Sequence, residues 1–323
     1  MISVDKVLLT GATGFVGSAL LAYLLKQGRH PVSIASRSEQ GAIERDCQVF
    51  NLGEFGAQTN WQPALVGVGC VIHMAGRAHV LARETNALEL FREANARATL
   101  NLAAQAAAQG VKRFIFISSI GVNGAYTNDL PFSEASTPAP NADYAISKQE
   151  AEVGLLQLAQ TTEMDVVIIR PPLVYAAHAP GNFRRLLKLV HLGIPLPFGR
   201  VSNSRSMIAL ENLVDFIAFC IDHPAAANQI FLAADGVDFS TGQIIMLLAQ
   251  GMGRKAVLVP FPISLLSASA KLLGRQGVYT QLCGSLQIDT SKVRQLLGWR
   301  PPVSAETAMI RAGQEFNNRI VGS

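Results

Sequence analysis

Tyr144 and Lys148, four apart in "YAISK", are the residues best suited to acid–base chemistry. On a helix this spacing puts both side chains on one face. A phenol with a pKa of about 10 is a poor acid or base near neutrality. A neighbouring ammonium stabilises the phenolate and draws that pKa toward the working range. The apolar run "FIFISS" ends in two further hydroxyls, Ser118 and Ser119, where open α/β sheets bind their ligands. A serine there can hold a carbonyl or carbinol oxygen while Tyr144 moves its proton, which is the proton half of a hydride transfer.

Hydride transfer needs a dinucleotide, and "TGATGFVG" offers a site for one. Gly11, Gly14 and Gly17 stand on a GxxGxxG spacing between an apolar run and a helical pattern. Glycines let backbone approach a pyrophosphate, and the free N–H groups of a helix start receive the anion. Expected contacts are Gly11, Thr13, Gly14, Phe15, Val16 and Gly17. The next apolar run, "VSIASRS", ends in Ser36 and Arg37, where an Asp or Glu would hold the ribose of NAD. Ser36 can donate to a 2′-phosphate and Arg37 can clamp it, with Arg29 or Arg45 as further charge. NADP(H) is therefore expected over NAD(H).

The elements that must position these groups follow from the patterning. "KVLLTG", "HPVSIAS", "CQVFNL", "CVIHMAG", "VKRFIFISS" and "MDVVIIRPPLVY" read as six strands separated by helical segments. Continuous apolar strands alternating with helices predict a doubly wound parallel sheet of Rossmann type, an α/β fold with right-handed crossovers. We expect a dinucleotide-binding domain over 1–175. Residues 176–323 then form a smaller α/β substrate lobe, with some segments returning to the sheet. Its helix starts include one near Ser240 or Thr241.

Composition narrows the class. The 323 residues are 49% apolar and 15% charged, with a net charge of +4, so the chain is globular rather than disordered. No Lys/Arg run points to nucleic acid. Cys47, Cys70, Cys220 and Cys283 are scattered and make no CxxC pair, so neither a disulfide framework nor a metal site is expected, and a cytoplasmic location fits. No signal peptide is expected, since the residues before Lys6 show no basic-then-apolar pattern. Mean hydropathy is +0.26, but the longest apolar stretch, "AVLVPFPISLLSASAKLLG", is interrupted by Pro260 and Pro262 and carries Lys271. No transmembrane helix is expected. A helix over 263–273 that lies on a surface or meets a partner is, which leaves peripheral membrane contact open.

Taken together, "TGATGFVG", "VIHMAG", "FIFISSIGVNG", "PFSEASTPAPNADYAISKQEAE", "IIRPPLVY" and "LLGWRP" resemble the extended short-chain dehydrogenase/reductases, within them the nucleotide-sugar epimerases, dehydratases and 4-reductases. The resemblance spans nearly the whole chain. It implies Ser119, Tyr144 and Lys148 as catalytic residues. It implies Asn51 and Leu52 beside the adenine, His73, Met74, Ala75 and Gly76 along the cofactor, Asn95 in a mostly structural role, and Ser118 and Pro171 in the cofactor site. For a UDP-sugar it implies Ser119, Val122, Asn123, Asn182 near the diphosphate or base, and Arg205 on a phosphate; Arg275 is a further candidate cation for the diphosphate, with an exposed helix-end arginine as its alternative. A homodimer through helices near 86–109 and 144–160 is also implied. The sequence departs from the family at Ser36, at Asn51, at "VNG" (Val122–Gly124), at "AAHAPG" after Tyr175, and at Asn212, where an Asp is expected.

Three reactions share such a scaffold. Dehydratases place an Asp–Glu pair where this chain has "SSIGVNG", so dehydration is disfavoured. Epimerases hold NAD and usually keep the strand-two carboxylate. Ser36 and Arg37 tilt the expectation to NADPH-dependent reduction. The whole pattern resembles bacterial UDP-4-keto-6-deoxy-N-acetylglucosamine 4-reductases of surface polysaccharide synthesis, O-antigen or capsule, which make UDP-N-acetylquinovosamine or UDP-N-acetylfucosamine. The alternatives are an NAD-dependent UDP-sugar 4-epimerase, a non-sugar ketone reductase of the same superfamily, and a non-catalytic dinucleotide sensor. A sensor would tend to lose the Tyr or the Lys, and both are present.

Overall fold

The computed structural model describes residues 4–38, 47–77 and 86–321; Arg45 lies outside them. In chain order the elements are β1 (Val7–Thr10), α1 (Phe15–Gln27), β2 (Val32–Ser36), β3 (Gln48–Asn51), α2 (Gln62–Leu65) and β4 (Cys70–His73). Then α3 (Ala87–Phe91) continues through a π-helical stretch, Arg92–Arg97, into α4 (Ala98–Ala108). Next come β5 (Arg113–Ile117), α5 (Asp143–Thr161), β6 (Asp165–Arg170), β7 (Leu173–Tyr175), α6 (Gly181–Leu192), β8 (Arg205–Ala209) and α7 (Leu210–Asp222). The rest are β9 (Gln229–Leu232), β10 (Asp238–Phe239), α8 (Thr241–Gly251), α9 (Ile263–Leu272), α10 (Gln276–Cys283) and α11 (Ala305–Val321).

Seven strands form one parallel sheet in the order β3-β2-β1-β4-β5-β6-β9. Helices cover both faces, which is why β1, β2, β4 and β5 are buried end to end and read as unbroken apolar runs. One core joins α1 and α7 to the sheet, and the other joins α2, α4 and α5 to its opposite face. Strand order reverses between β1 and β4, so the crevice at their carboxyl ends is the place for a ligand. Helix α1 stops at Gly28, whose left-handed backbone caps it, and α8 starts behind a Ser240–Gln243 capping box.

The run "MDVVIIRPPLVY" is not one strand. β6 ends at Arg170, and β7 joins a second, three-stranded sheet of order β10-β8-β7. Pro171 and Pro172 stand at the break, where missing N–H groups end the ladder. The chain later returns to the large sheet through α7 and β9. A separate apolar core gathers α6, α8 and α11. On the opposite side of the molecule's large sheet, α3, α4 and α5 pack on one another, with an Arg92–Glu150 ion pair at 2.7 Å. Among the described residues no helix is long and apolar enough to cross a membrane.

Candidate active site

A cleft of about 730 Å³ opens at the switch point, lined by Gly11–Gly14, the end of β2, and Met74–Arg77 after β4. Its floor needs glycine. Gly11 has φ +76°, and a Cβ there would stand 2.7 Å from the Ala75 nitrogen. A Cβ on Gly17 would stand 2.0 Å from the Gly11 carbonyl oxygen. Gly14 is the N-cap of α1 and has no side chain to cap it, so the first N–H groups of Phe15, Val16 and Gly17 await an anion. At the end of β5, outside the residues that line this cleft, the Ser118 hydroxyl is buried with no hydrogen-bond partner among the described residues. These features fit a dinucleotide.

At the outer end of the cleft Ser36 and Arg37 both line the wall. Ser36 is buried and its Oγ accepts from the Ser38 N–H at 3.4 Å. Arg37 does not stand alone. Glu54, from the loop after β3, lies 3.8 Å from it and lines the same wall with Phe55. Sequence reading missed both, because nothing local in "NLGEFG" says that this loop folds back beside β2. Asn51 and Leu52, expected at the adenine, are not among the residues lining the cleft; Asn51 accepts from the Gly53 N–H at 3.4 Å. Arg29 lies before β2 at the amino-terminal edge of the sheet, beside Asp215 and Asp222, so the strand's own length separates it from the cleft.

Ser119, Tyr144 and Lys148 come from β5's end and from α5. Ser119 caps a short 3₁₀ turn, Ile120–Val122, its Oγ accepting from the Gly121 N–H at 3.1 Å. Its hydroxyl proton remains free to donate. A Cβ on Gly121 would be 3.3 Å from both Ser119 Oγ and Ala145 Cβ, so this glycine lets α5 approach Ser119. Lys148 is buried; its Nζ donates to the Ile117 carbonyl at 2.9 Å and lies 4.4 Å from the Phe116 ring centre. The same Nζ is 5.9 Å from the Tyr144 ring centre. Burial holds the ammonium down to about 8, with Glu152 opposing the shift. Burial pushes the Tyr144 phenol up to about 12. No protein group among the described residues hydrogen-bonds that hydroxyl.

A relay of buried polar groups locks the cradle to α5. The Ala75 N–H donates to Thr10 Oγ1 at 3.2 Å; because Thr99 spends its proton on the Asn95 carbonyl, His73 carries its proton on Nε2 and its Nδ1 accepts from Thr10, 2.7 Å away. His73 Nε2 then donates to Thr99 Oγ1 at 2.9 Å, and Thr99 donates to the Asn95 carbonyl at 2.6 Å. Burial, with Lys148 adding to it, pushes the His73 pKa down to about 3, so the ring stays neutral. The Asn95 side chain accepts from the Arg77 N–H and donates to the Arg77 carbonyl and to Ser147 Oγ. Ser147 in turn donates to the Tyr144 carbonyl at 2.8 Å. Asn95 thus positions the 76–77 backbone against α5 with its side chain fully engaged, and the π-helical stretch is what presents it. Below Lys148, Glu152 forms a buried two-pronged pair with Arg170, which also donates to Asn123 Oδ1 at 2.9 Å.

The expected substrate contacts divide. Val122 is wholly buried, and Asn123 is buried with its amide committed to Arg170 and to the Ser133 carbonyl. Both side chains are thus packed beneath the Ser119 turn. Asn182, at the start of α6, donates to Gln281 of α10 and accepts from Arg185. Arg205, on β8, donates to the Gly284 carbonyl at 2.9 Å, and burial lowers its pKa. Arg275 is exposed at the start of α10. Pro171 is buried, and its carbonyl accepts from the Ile120 N–H at 3.0 Å, which holds the Ser119 turn in place. Asn212 joins a structural cluster: it donates to Asp235 and to the Val303 carbonyl.

Comparison with known proteins gives consistent results. Residues 7–234 match the model of the NAD dependent epimerase/dehydratase family. The chain is 43% identical over 320 residues to the UDP-glucose 4-epimerase of Vibrio cholerae, covering 97% of each. It is 27% identical over 303 residues to the N-acetyl-alpha-D-glucosaminyl-diphospho-ditrans,octacis-undecaprenol 4-epimerase of Escherichia coli O157:H7, covering 90% of this chain and 88% of that one. Its fold is that of the UDP-glucuronic acid 4-epimerase of Bacillus cereus, a structure in complex with NAD, with a TM-score of 0.77, 20% identity, and 98% and 99% of the two chains covered.

Proposed function

Since the chain belongs to the NAD-dependent epimerase/dehydratase family, enzymes of the extended short-chain dehydrogenase/reductase fold, we propose that it is a UDP-sugar 4-epimerase working with a resident NAD. The observation that carries this is the end-to-end similarity to the Vibrio cholerae UDP-glucose 4-epimerase. It displaces NADPH-dependent reduction, the leading expectation from sequence. Glu54 supports the change, because a carboxylate beside Arg37 disfavours a 2′-phosphate at that end of the cleft.

In this reading bound NAD supplies the acceptor and donor of hydride at sugar C4. Gly11, Gly14 and the start of α1 hold its pyrophosphate, and Gly76, where a Cβ would stand 2.9 Å from Asn95 Oδ1, lets Asn95 hold the 76–77 backbone beside the cofactor. Tyr144 takes the proton of the C4 hydroxyl and returns it after the sugar has turned over. Lys148 stabilises the phenolate electrostatically. Ser119 donates a hydrogen bond to the C4 oxygen, worth most when that oxygen carries charge. Arg205 faces a phosphate of the UDP, with Asn182 beside it. The proposed assembly is a cytoplasmic homodimer through α3–α4 and α5.

The test is direct. Purified protein, denatured, should release NAD, and the native protein should interconvert UDP-glucose and UDP-galactose, or their N-acetylamino counterparts, with no cofactor added. The second reading, a 4-reductase, rests on Ser36 and Arg37 and on the lack of a carboxylate on β2. It takes over if the protein comes free of NAD, leaves these sugars unchanged, and oxidises NADPH only with a 4-keto UDP-sugar.

A further inference from the structure

The outer surface of the second lobe carries an apolar face that this chemistry does not use. No residue of α9 or α10 is buried. Leu265 and Leu272, seven apart and so on one side of α9, are 55% and 88% exposed, and Leu273 is 71% exposed. Leu266 points the other way, into the lobe's core. Val257 and Val259 extend the face. Both are exposed, while Leu258 between them packs inward, and this segment is hydrogen-bonded to Leu196. Leu192, at the end of α6, adjoins it, because Arg254 donates to the His191 carbonyl.

The charges set among these side chains have one sign. From Phe239 to Ile288 the chain has no Asp or Glu, but has Arg254, Lys255, Lys271 and Arg275. All four are exposed. We infer that this face docks on an anionic lipid bilayer. Leucines left in water are covered when they enter the headgroup boundary, and the flanking cations then meet anionic lipid. The ten residues of α9 are too few to span a bilayer and suit a helix lying in its plane. A second copy is the poorer occupant. A two-fold contact sets this face against an identical one, with cations on both sides, and no acid in the segment is there to relieve it. Docking also gives the lobe a defined orientation, since Gln281 of α10 holds Asn182 and Gly284 holds Arg205. The inference does not depend on which C4 reaction the site runs.

The purified chain is mixed with vesicles of phosphatidylcholine alone or of phosphatidylcholine with phosphatidylglycerol, and the vesicles are pelleted. Roughly tenfold more protein should pellet with the anionic vesicles, and added salt should release it. The double substitution Leu272→Glu with Leu273→Glu should abolish pelleting, with far-UV circular dichroism and turnover of a soluble UDP-sugar unchanged. Lys271→Glu should weaken pelleting several-fold. Equal, salt-insensitive pelleting on both vesicle types would overturn the inference, as would no pelleting at all or unchanged pelleting of the double variant. So would a dimer in solution that the double variant splits, because a second copy would then cover the face.

Discussion

Tyr144 and Tyr175 are treated in opposite ways by this fold. Tyr175, on β7, is wholly buried, and its hydroxyl donates to Asp235 at 2.8 Å and also lies 3.1 Å from the Ala305 carbonyl. Asp235 in turn accepts from the Ala209 N–H and the Asn212 amide. Each group in the cluster is answered by another from the protein. Burial and the facing carboxylate push the Tyr175 phenol far above its usual range. Tyr144 is also raised, by burial alone, but its hydroxyl has no protein partner and an ammonium lies close by. A closed polar cluster ties segments together, here the small sheet, α7 and the start of α11. An open one is a site waiting for its substrate.

The sharpest way to break this contrast is to delete one oxygen from each ring. Tyr144→Phe should cut turnover by about 10²–10⁴-fold with little change in thermal stability. Tyr175→Phe should do the reverse. It leaves Asp235 short of a donor and costs on the order of 1–3 kcal/mol in a urea denaturation, while turnover per folded molecule persists. An active Tyr144→Phe variant would remove the proposed chemistry. A folded but inactive Tyr175→Phe variant would erase the distinction between the two rings.

The two rings also differ in how far sequence reveals them. Tyr144 and Lys148 were legible because α-helical spacing alone puts them on one face, and the glycine loop and "SS" stood at predictable strand ends. The large sheet was legible for a similar reason, since strands buried on both faces read as apolar runs. What stayed hidden depends on residues distant in sequence. Asn212 pairs with Asp235 and Val303, and the His73–Thr99–Asn95 relay runs from the β4 end to the helix beyond it. The split after Arg170 had a local signal, Pro171-Pro172, whose weight the apolar residues on either side obscured. The partners of Asn123, Arg170 and the Ser133 carbonyl, are likewise distant in sequence and invisible to it.

Lys148 gives a second, smaller test, in which activity and stability should move in opposite directions with pH. Burial holds its folded pKa near 8, while an unfolded lysine titrates near about 10.4. Activity, which needs the charged ammonium, should fall as pH rises through about 8. Between the two values the unfolded chain binds more protons at this residue, so its contribution to stability rises with pH. Lys148→Met should abolish that local rise and cut turnover by roughly 10²-fold. If the wild type and Lys148→Met show the same pH dependence of stability, the fold does not lower the pKa of this lysine. Ser119→Ala should have a milder effect, roughly tenfold on turnover with KM little changed, because it removes one hydrogen bond to an oxygen whose charge varies along the reaction.

The smallest expected effect tests the opposite end of the cleft, where Arg37 and Glu54 form an exposed pair at 3.8 Å. Tyr144 works in a buried setting, where charges act strongly; this pair is bathed in water and its influence is screened. Even so, the sign is fixed by chemistry. With its carboxylate in place, Glu54 repels a 2′-phosphate and draws Arg37 away from it, whereas a ribose hydroxyl is accepted. Glu54→Gln should therefore tighten NADP⁺ roughly two- to fivefold and leave NAD⁺ little changed, and Arg37→Ala should weaken NADP⁺ by a similar factor. Titration of protein stripped of cofactor, followed by calorimetry at low and high salt, reads both effects, and salt should shrink them. If Glu54→Gln leaves the ratio of NAD⁺ to NADP⁺ affinity unchanged, the missing β2 carboxylate has not been replaced from the β3 loop, and Ser36 and Arg37 regain their weight as a phosphate site.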